Sequence, residues 1–182
     1  MSVGILLYGP PAAGKDTVTS ALTALDPRYQ LFPRLKVGPG RTAGYRMASG
    51  ADLDALRVAG GVIWENQRYG SVYVIDRPEL GDRLTRHVPV LHLGQVEAVD
   101  AVRAAPVDAR WVTVSLSCPR DVAERRIIAR ATGDTEARLR AWDETAPFLG
   151  ADLSINTADT LPDAAARTIH QAVADLVTAD QH

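Results

Sequence analysis

The feature that most constrains the fold of this 182-residue chain is an apolar run that leads directly into a glycine-rich loop. Val3 to Tyr8 (VGILLY) is continuously apolar, and Gly9 to Thr17 (GPPAAGKDT) follows at once. A run without polar alternation is typical of a parallel strand that is buried on both faces. The loop fits the phosphate-loop pattern G-x-x-x-x-G-K-[ST] except at the last position, where Asp16 replaces the hydroxyl residue.

In a phosphate loop, backbone N–H groups point at nucleotide phosphates, the lysine neutralises charge and the hydroxyl binds Mg²⁺. The start of the following helix adds a partial positive charge. The alternative is a strand-to-helix turn without special function. The preceding strand and the following helix favour the phosphate site, which would consist of Gly9, Pro10, Pro11, Ala12, Ala13, Gly14, Lys15, Asp16 and Thr17.

Asp16 has two interpretations. A carboxylate binds Mg²⁺ directly or through water. An acidic residue in a first helical turn also stabilises the helix without any metal. Thr17 offers a hydroxyl one residue later, so we expect a metal site at Asp16 and Thr17, with the purely helical role of Asp16 as the alternative.

The rest of the chain alternates between strand and helix patterns. Further strands are predicted at Pro89 to Gly94, Trp111 to Ser117 and Ala151 to Asn156, and helices at Lys15 to Leu25, Gln95 to Ala104, Arg120 to Arg130 and Pro162 to Ala179. This alternation predicts right-handed crossovers and a parallel sheet with helices on both faces. The fold class is therefore α/β, a three-layer sandwich of the P-loop NTPase type.

The stretch from about Tyr29 to Asp76 interrupts that alternation. It contains a glycine-basic loop, a helix-like segment and a strand, turn and strand pattern (VIWENQRYGSVYVID). We interpret it as an inserted subdomain, residues 29–76, within a core of residues 1–28 and 77–182. The length suits one domain.

Composition limits the function. The net charge of −2 does not favour binding to a nucleic acid polymer or to anionic membrane. Cys118 is the only cysteine, which excludes an intramolecular disulfide and a cysteine zinc cluster. The start MSVGILLYGP lacks a basic leader, and no apolar run approaches the roughly 20 residues of a membrane helix. We expect a cytoplasmic location.

A second basic set lies in DVAERRIIARATGDTEARLRAW. Arg126 and Arg130 are four residues apart on one helix, and Arg138 follows the break at Thr132 to Asp134. The alternative is a solvated helix face. With a phosphate loop in the same chain, the break favours a helical lid, residues 126–142, that closes arginines onto transferring phosphates.

The segments GPPAAGKD, YRMAS, WENQRYGS, ERRIIARAT and SIN together resemble the guanylate kinase family of nucleoside monophosphate kinases. The chain is similar too to ribose 1,5-bisphosphate phosphokinases, whose phosphate loop also carries GKD. The resemblance covers nearly the whole chain. It implies a P-loop core with an inserted acceptor-binding domain and a mobile lid, ATP and Mg²⁺ as cofactors, and a small phosphate-bearing acceptor. We expect a monomer or a homodimer.

The resemblance also assigns roles by position. Lys15 and the loop backbone would hold the ATP phosphates, and Asn156 would lie near the adenine. The transferring phosphoryl group would be clamped by Arg126, Arg130 and Arg138. The acceptor's phosphate would be held by Arg41, Tyr45, Tyr69, Gly70 and Ser71, with help from Lys36.

Three departures concern the acceptor. Guanylate kinases read guanine with a serine before the basic loop, a glutamate after the tryptophan and an aspartate on the second core strand. In this chain no serine is evident before the basic loop. Glu65 or Asn66 stands at the position of the glutamate, and His92 stands at the position of the aspartate. Without its acceptors a guanine site loses discrimination. This argues against GMP and leaves an unusual nucleotide or a ribose bisphosphate as alternatives.

His92 also bears on the metal, because P-loop enzymes commonly use an acid on a neighbouring strand. We hypothesise that Asp16 partly replaces that acid. We interpret His92 as a core histidine with one bonded nitrogen, since transfer to a phosphate oxygen depends mainly on positioning and charge. The resulting hypothesis is a small kinase. The rivals are a non-catalytic nucleotide-binding module, against which the retained Lys15 and lid arginines argue, and a nucleotide hydrolase.

Overall fold

The computed structural model describes residues 2–179. The strands are β1 Ser2–Tyr8, β2 Tyr29–Leu31, β3 Leu35–Val37, β4 Arg46–Met47, β5 Val62–Arg68, β6 Ser71–Asp76, β7 Val88–Leu93, β8 Ala109–Ser117 and β9 Leu153–Asn156. The helices are α1 Lys15–Leu25, α2 Gly50–Val58, α3 Arg77–Arg86, α4 Val96–Ala104, α5 Arg120–Arg130, α6 Thr135–Glu144 and α7 Pro162–Thr178.

The central sheet has five parallel strands in the order β2-β7-β1-β8-β9. Successive side chains of β1 point to opposite faces, and both faces are covered. Ile5 and Leu7 pack with residues of α1 and α7, whereas Leu6 and Tyr8 pack with residues of α3 and α4. The predicted three-layer α/β fold is confirmed.

The smaller sheet has four strands in the order β4-β3-β6-β5. β6 is antiparallel to both β3 and β5, and β4 is parallel to β3. Tyr69 and Gly70 connect β5 to β6 with φ values of 52° and 72°, as a two-residue hairpin turn requires. The strand β2, which the sequence analysis included in the insert, pairs with β7 in the central sheet. The smaller sheet therefore begins only at Leu35.

One helix was missed in the sequence analysis. Asp76 accepts a hydrogen bond from the backbone N–H of Glu79 and so caps α3, and Pro78 stands in its first turn. Both are helix-start signals. The glycine at position 81, within the helix, weakens the pattern. No helix within residues 2–179 is long and apolar enough to cross a membrane.

Candidate functional site

The carboxyl ends of the parallel strands meet at one edge of the central sheet, where the loop between β1 and α1 also lies. A cleft of ≈ 760 Å³ opens there between this edge, the smaller sheet and the segment joining α5 to α6. The loop contributes Gly9, Pro11, Ala12, Gly14, Lys15 and Asp16 to its lining, β7 contributes His92, and the loop after β7 contributes Gln95. The smaller sheet and its loops contribute Arg34, Lys36, Arg41, Tyr45, Asn66, Arg68, Tyr69 and Tyr73, and the helices α5 and α6 with their connection contribute Arg130, Thr132, Asp134 and Arg138.

Two residues of the loop have a left-handed backbone. Gly14 has a φ of 98°, which glycine adopts without strain, whereas Ala12 has a φ of 63°, which is uncommon for a residue other than glycine. At Gly9, a Cβ atom would lie 2.5 Å from the Leu116 carbonyl oxygen, so only glycine fits against β8. The Lys15 ammonium donates hydrogen bonds to the carbonyl oxygens of Gly9 and Pro10, the latter at 3.0 Å. The loop therefore wraps around Lys15 and fixes its charge at the cleft.

The ammonium of Lys15 is strongly perturbed. The pKa of Lys15 is lowered to about 7, chiefly by burial and then by the positive charges of Arg34, Arg130 and Arg68, whereas Asp16 raises it. The lysine and these three arginines thus lie close enough to repel one another. Such a concentration of positive charge favours the binding of an anion in the cleft.

The metal ligands predicted at Asp16 and Thr17 do not share one environment. Asp16 lines the cleft with 54% of its side chain exposed. Thr17 is exposed but does not line the cleft. No cluster of three or more histidine, cysteine or acidic residues that could hold a metal occurs within residues 2–179. One carboxylate suits Mg²⁺ nonetheless, because that ion is usually bound by one or two carboxylates together with substrate phosphates and water.

His92 lies on β7 directly behind Asp16. Its Nε2 atom is 2.7 Å from the Thr19 hydroxyl, as a core histidine with one bonded nitrogen should be. Burial, followed by the charges of Lys15 and Arg34, lowers the pKa of His92 to about 3, so the imidazole is neutral at physiological pH. The Nδ1 atom lies 3.7 Å from Asp16 Oδ1, too far for a direct hydrogen bond.

One face of the smaller sheet supplies the opposite wall of the cleft. The β-sheet register places Lys36, Tyr73 and Asn66 side by side on β3, β6 and β5, so they share a face. Lys36 is 2% exposed, donates a 2.7 Å hydrogen bond to the Arg41 carbonyl oxygen and lies 5.5 Å from the Tyr73 ring centre. We call the cleft-lining residues of this wall the basic face: Arg34, Lys36, Arg41, Tyr45, Asn66, Arg68 and Tyr73.

Glu65 points away from this wall. It is paired in register with Val74 on the opposite face of the sheet. Its carboxylate accepts hydrogen bonds from Arg57 of α2 at 3.0 and 2.8 Å. The assignment of Glu65 to the acceptor site therefore disagrees with the structure, because adjacent residues of a strand face opposite ways. Asn66 lines the cleft instead, and its buried Oδ1 atom has no hydrogen-bond partner among residues 2–179.

The lid arginines have different environments. Arg130 is exposed and lines the cleft, and Arg138 lines it while its Nε donates to both Asp134 carboxylate oxygens at 2.8 Å. Arg126 does not line the cleft. Its guanidinium donates to the Ala12 carbonyl oxygen and to the hydroxyl and carbonyl oxygens of Thr157, each at 3.0 Å. Arg126 therefore connects the phosphate loop to the loop after β9 through hydrogen bonds. The sequence did not indicate this structural role.

The other predicted residues outside the cleft lining have local partners or serve the loop backbone. Asn156 donates to Asp159 at 2.7 Å and accepts from the Ala158 backbone N–H at 3.0 Å. The Ser71 hydroxyl donates to the Pro39 carbonyl oxygen at 2.9 Å and so shapes the loop before Arg41. Pro10 and Ala13 belong to the phosphate loop without lining the cleft, and the φ of 72° at Gly70 serves the hairpin turn.

The cleft residues that sequence reasoning missed include Arg34, Arg68, Tyr73 and Gln95. Arg34 precedes β3 and is two residues from Lys36, so strand alternation alone indicates that both point the same way. Arg68 and Asn66 are also two residues apart, on β5, so they point to the same face of the sheet. No comparable signal identifies Gln95, which follows β7.

The comparisons agree with this architecture at the level of the fold. No family model matches the chain. The guanylate kinase of Anaplasma phagocytophilum superposes with a TM-score of 0.59 and 14% identity, covering 96% of this chain and 85% of that one. A solved protein designated APE1195 gives a TM-score of 0.57 and 14% identity over 97% of each chain. The chain therefore has a P-loop kinase-like fold.

A curated relative has a different name. L-Aspartate oxidase of Rhodospirillum rubrum is 28% identical over an alignment of 144 residues that covers 69% of this chain and 51% of that protein. The chain thus spans about half the length of the curated relative that it matches.

Proposed function

We propose that the chain is an ATP-dependent kinase that transfers the γ-phosphoryl group to the phosphate of a small nucleotide or phosphosugar. The observation that carries this proposal is the arrangement of the cleft. The phosphate loop and Lys15 form one wall, the basic face forms the other, and Arg130 and Arg138 lie at the lid. Two anion-binding walls around one cleft suit a donor phosphate and an acceptor phosphate. Phosphate recognition favours this reaction over the oxidase activity named for the curated relative.

In this reaction the bond between the γ-phosphorus and the β,γ-bridging oxygen breaks while a bond to an acceptor phosphate oxygen forms, and ADP leaves. Lys15 and the loop N–H groups bind the donor phosphates, and Arg130 and Arg138 stabilise the charge of the transferring group. Lys36 and Arg34 orient the acceptor phosphate. Mg²⁺ would offset phosphate charge, with Asp16 as the residue that holds it directly or through water.

The position of Glu65 supports an acceptor other than GMP. An acid on the cleft side of β5 would be required to read guanine, and this acid is paired with Arg57 on the far side. The strand β7 supplies a neutral His92 where guanylate kinases have an aspartate. Ribose 1,5-bisphosphate, with phosphoribosyl diphosphate as product, is the alternative acceptor that the several cationic groups of the basic face favour.

The test is a coupled ADP-release assay with ATP, Mg²⁺ and a panel of GMP, AMP, CMP, UMP, deoxynucleotides and ribose 1,5-bisphosphate. We expect turnover with one of these acceptors, and turnover at least about 10²-fold slower with a Lys15→Met protein purified in the same way. Tight ATP binding without turnover on any acceptor would instead identify a nucleotide-binding module. ADP release that does not depend on an acceptor would identify a hydrolase.

Asn66 and Glu65 provide a matched pair of variants on opposite faces of one strand. Asn66→Ala is expected to raise the acceptor KM about 10-fold at unchanged ATP KM, because a hydrogen bond of about 1.4 kcal/mol to the acceptor is lost. Glu65→Gln weakens only the pair with Arg57 and should leave both KM values within about twofold. The measurement is steady-state kinetics on the accepted substrate. The reverse pattern, with the larger effect at Glu65, would contradict the assigned strand register.

Nucleotide binding is expected to take up a proton at Lys15. The free ammonium has a pKa of about 7, and bound phosphates favour the charged form, so binding raises that pKa. Uptake should therefore approach one proton at about pH 8 and fall towards zero at about pH 6, where the free lysine is already charged. Calorimetry of ADP binding in buffers of different ionisation enthalpy measures it. Lys15→Arg, which stays charged, should lose the uptake at about pH 8; persistence in that variant would assign the proton elsewhere.

A further inference from the structure

Thr19 lies between two hydrogen-bonding groups behind the phosphate loop. Its hydroxyl oxygen is 2.8 Å from the Lys15 carbonyl oxygen and 2.7 Å from His92 Nε2. The residue is 6% exposed, so solvent is an unsuitable partner. A threonine hydroxyl has one hydrogen to donate, and the two contacts must therefore have different polarity.

The contact with Lys15 fixes the direction of both bonds. A carbonyl oxygen is only an acceptor, so two oxygens at 2.8 Å require the threonine hydrogen between them. Thr19 then accepts a hydrogen bond from His92, and the single imidazole proton is on Nε2. The other nitrogen, Nδ1, is left with a lone pair and acts as an acceptor.

The Nδ1 lone pair faces another acceptor. Asp16 Oδ1 lies 3.7 Å away, too far for a direct bond but close enough for one molecule to contact both atoms. Two acceptors that face each other repel unless a donor lies between them. A water molecule has two hydrogens for this purpose, and a water on a cation is a stronger donor because the ion polarises it.

We propose that Asp16 and His92 together hold, through Oδ1 and Nδ1, a water ligand of the nucleotide-associated Mg²⁺. This inference rests on the proposed function, since it takes the metal to arrive with the nucleotide. His92 is then a positioning residue for the metal, and Thr19 sets its tautomer. Asp16 stands where the phosphate-loop pattern has a hydroxyl residue, and His92 stands where the neighbouring strand usually has an acid. Because both hold the same water, the two departures from the usual pattern explain each other.

The tautomer is tested without any ligand. In the free ¹⁵N-labelled protein, long-range ¹H–¹⁵N spectra are expected to show the His92 proton on Nε2. Thr19→Val removes the hydroxyl acceptor and should increase the population with the proton on Nδ1. A wild-type protein with the proton on Nδ1 would overturn the inference, whatever the protein does with nucleotides.

The metal is tested by Mn²⁺ titration of the ADP complex, with free Mn²⁺ followed by electron paramagnetic resonance. His92→Phe is expected to raise the Mn²⁺ Kd about 10-fold, the lower end of what loss of an outer-sphere partner causes. His92→Asn places an amide oxygen near the Nδ1 position and should recover most of the affinity. The Asp16→Asn variant should weaken Mn²⁺ binding as well, and the double variant should lose less than the product of the two effects.

Binding of ADP in the presence of a chelator separates folding from metal binding and should be equal in the wild-type and His92→Phe proteins. An unchanged Mn²⁺ Kd in His92→Phe, in a protein that still transfers phosphate, would overturn the inference and leave the proposed function intact. A wild-type protein that binds ADP neither with nor without Mn²⁺ would overturn the proposed function, and the inference with it.

Discussion

Replacing Lys15 by methionine is expected to lower kcat by about 10²- to 10³-fold, the range observed when one charge-stabilising donor is removed from a transition state. The ammonium is held at the cleft by the carbonyl oxygens of Gly9 and Pro10, so no other side chain can take its place without rebuilding the loop. Methionine is unbranched and only one heavy atom shorter than lysine, and it removes the charge and the donors. Single-turnover kinetics at saturating ATP would measure the effect on the chemical step.

The same variant should be at least as stable as the wild type. The pKa of Lys15 is lower in the folded protein than in the unfolded chain, so the folded state binds fewer protons. The buried charge therefore costs stability at and below about pH 7, and this cost disappears as the pH rises towards the unfolded value of about 10.4. Lys15→Met should accordingly melt at an equal or higher temperature at pH 7. A lower melting temperature would attribute the lost activity to misfolding.

Lys36 is the only other lysine of the chain, so Lys36→Met serves as the comparison for Lys15→Met. Lys36→Met is expected to raise the KM of the acceptor and to change the KM of ATP little, since Lys36 belongs to the basic face. If both lysine variants weakened ATP binding equally, the division of the cleft into a donor wall and an acceptor wall would be wrong.

The sequence predicted the central sheet well because its signals are local. The run from Val3 to Tyr8, the glycines of the loop and the helix from Lys15 to Leu25 lie together in the chain, and the structure has the same elements. The three-residue strand β2 was not recognised as part of that sheet. Among residues 2–179 its only sheet partner is the distant β7, and three residues are too few to show a period.

The basic face was harder to predict because it depends on register. A shift of one residue moves every side chain of a strand to the opposite face. In β5 the register changes between Val62 and Trp64, so the pattern cannot be counted from the start of the strand. Because of this bulge, the strand pattern alone does not decide between Glu65 and Asn66, which the resemblance left as alternatives.

Sequence reasoning gave the arginines of α5 and α6 one role, whereas the structure gives them different environments. Arg126 and Arg130 are equivalent in sequence, four residues apart on one helix. Arg126 nevertheless bonds to backbone oxygens of Ala12 and Thr157, and only Arg130 lines the cleft. The backbone partners come from two distant loops, β1–α1 and the loop after β9, and no local pattern in α5 indicates them. The role of each arginine on this helix therefore depends on the residues that its guanidinium contacts in the folded protein.

Arg130→Ala is expected to lower kcat about 10³-fold, the lower end of the effect of an arginine that stabilises a transferring phosphoryl group. Arg130 ends α5, and the left-handed residues Ala131 (φ 48°) and Gly133 (φ 78°) follow before α6 begins. Its charge also contributes to the lowered pKa of Lys15, which indicates that both cations act on the same region of the cleft. Single-turnover kinetics with ATP and the accepted substrate measure the change.

Arg125 is the matched control, because it lies on the same helix, is exposed and pairs with Asp121 outside the cleft lining. Arg125→Ala should leave kcat within about twofold, since an exposed ion pair contributes little. Arg130→Lys retains the charge but not the planar fork of donors, so it should recover only part of the rate. If Arg130→Ala and Arg125→Ala behaved alike, α5 would be a solvated helix face and the lid hypothesis would fail, while the roles of Lys15 and the phosphate loop would stand.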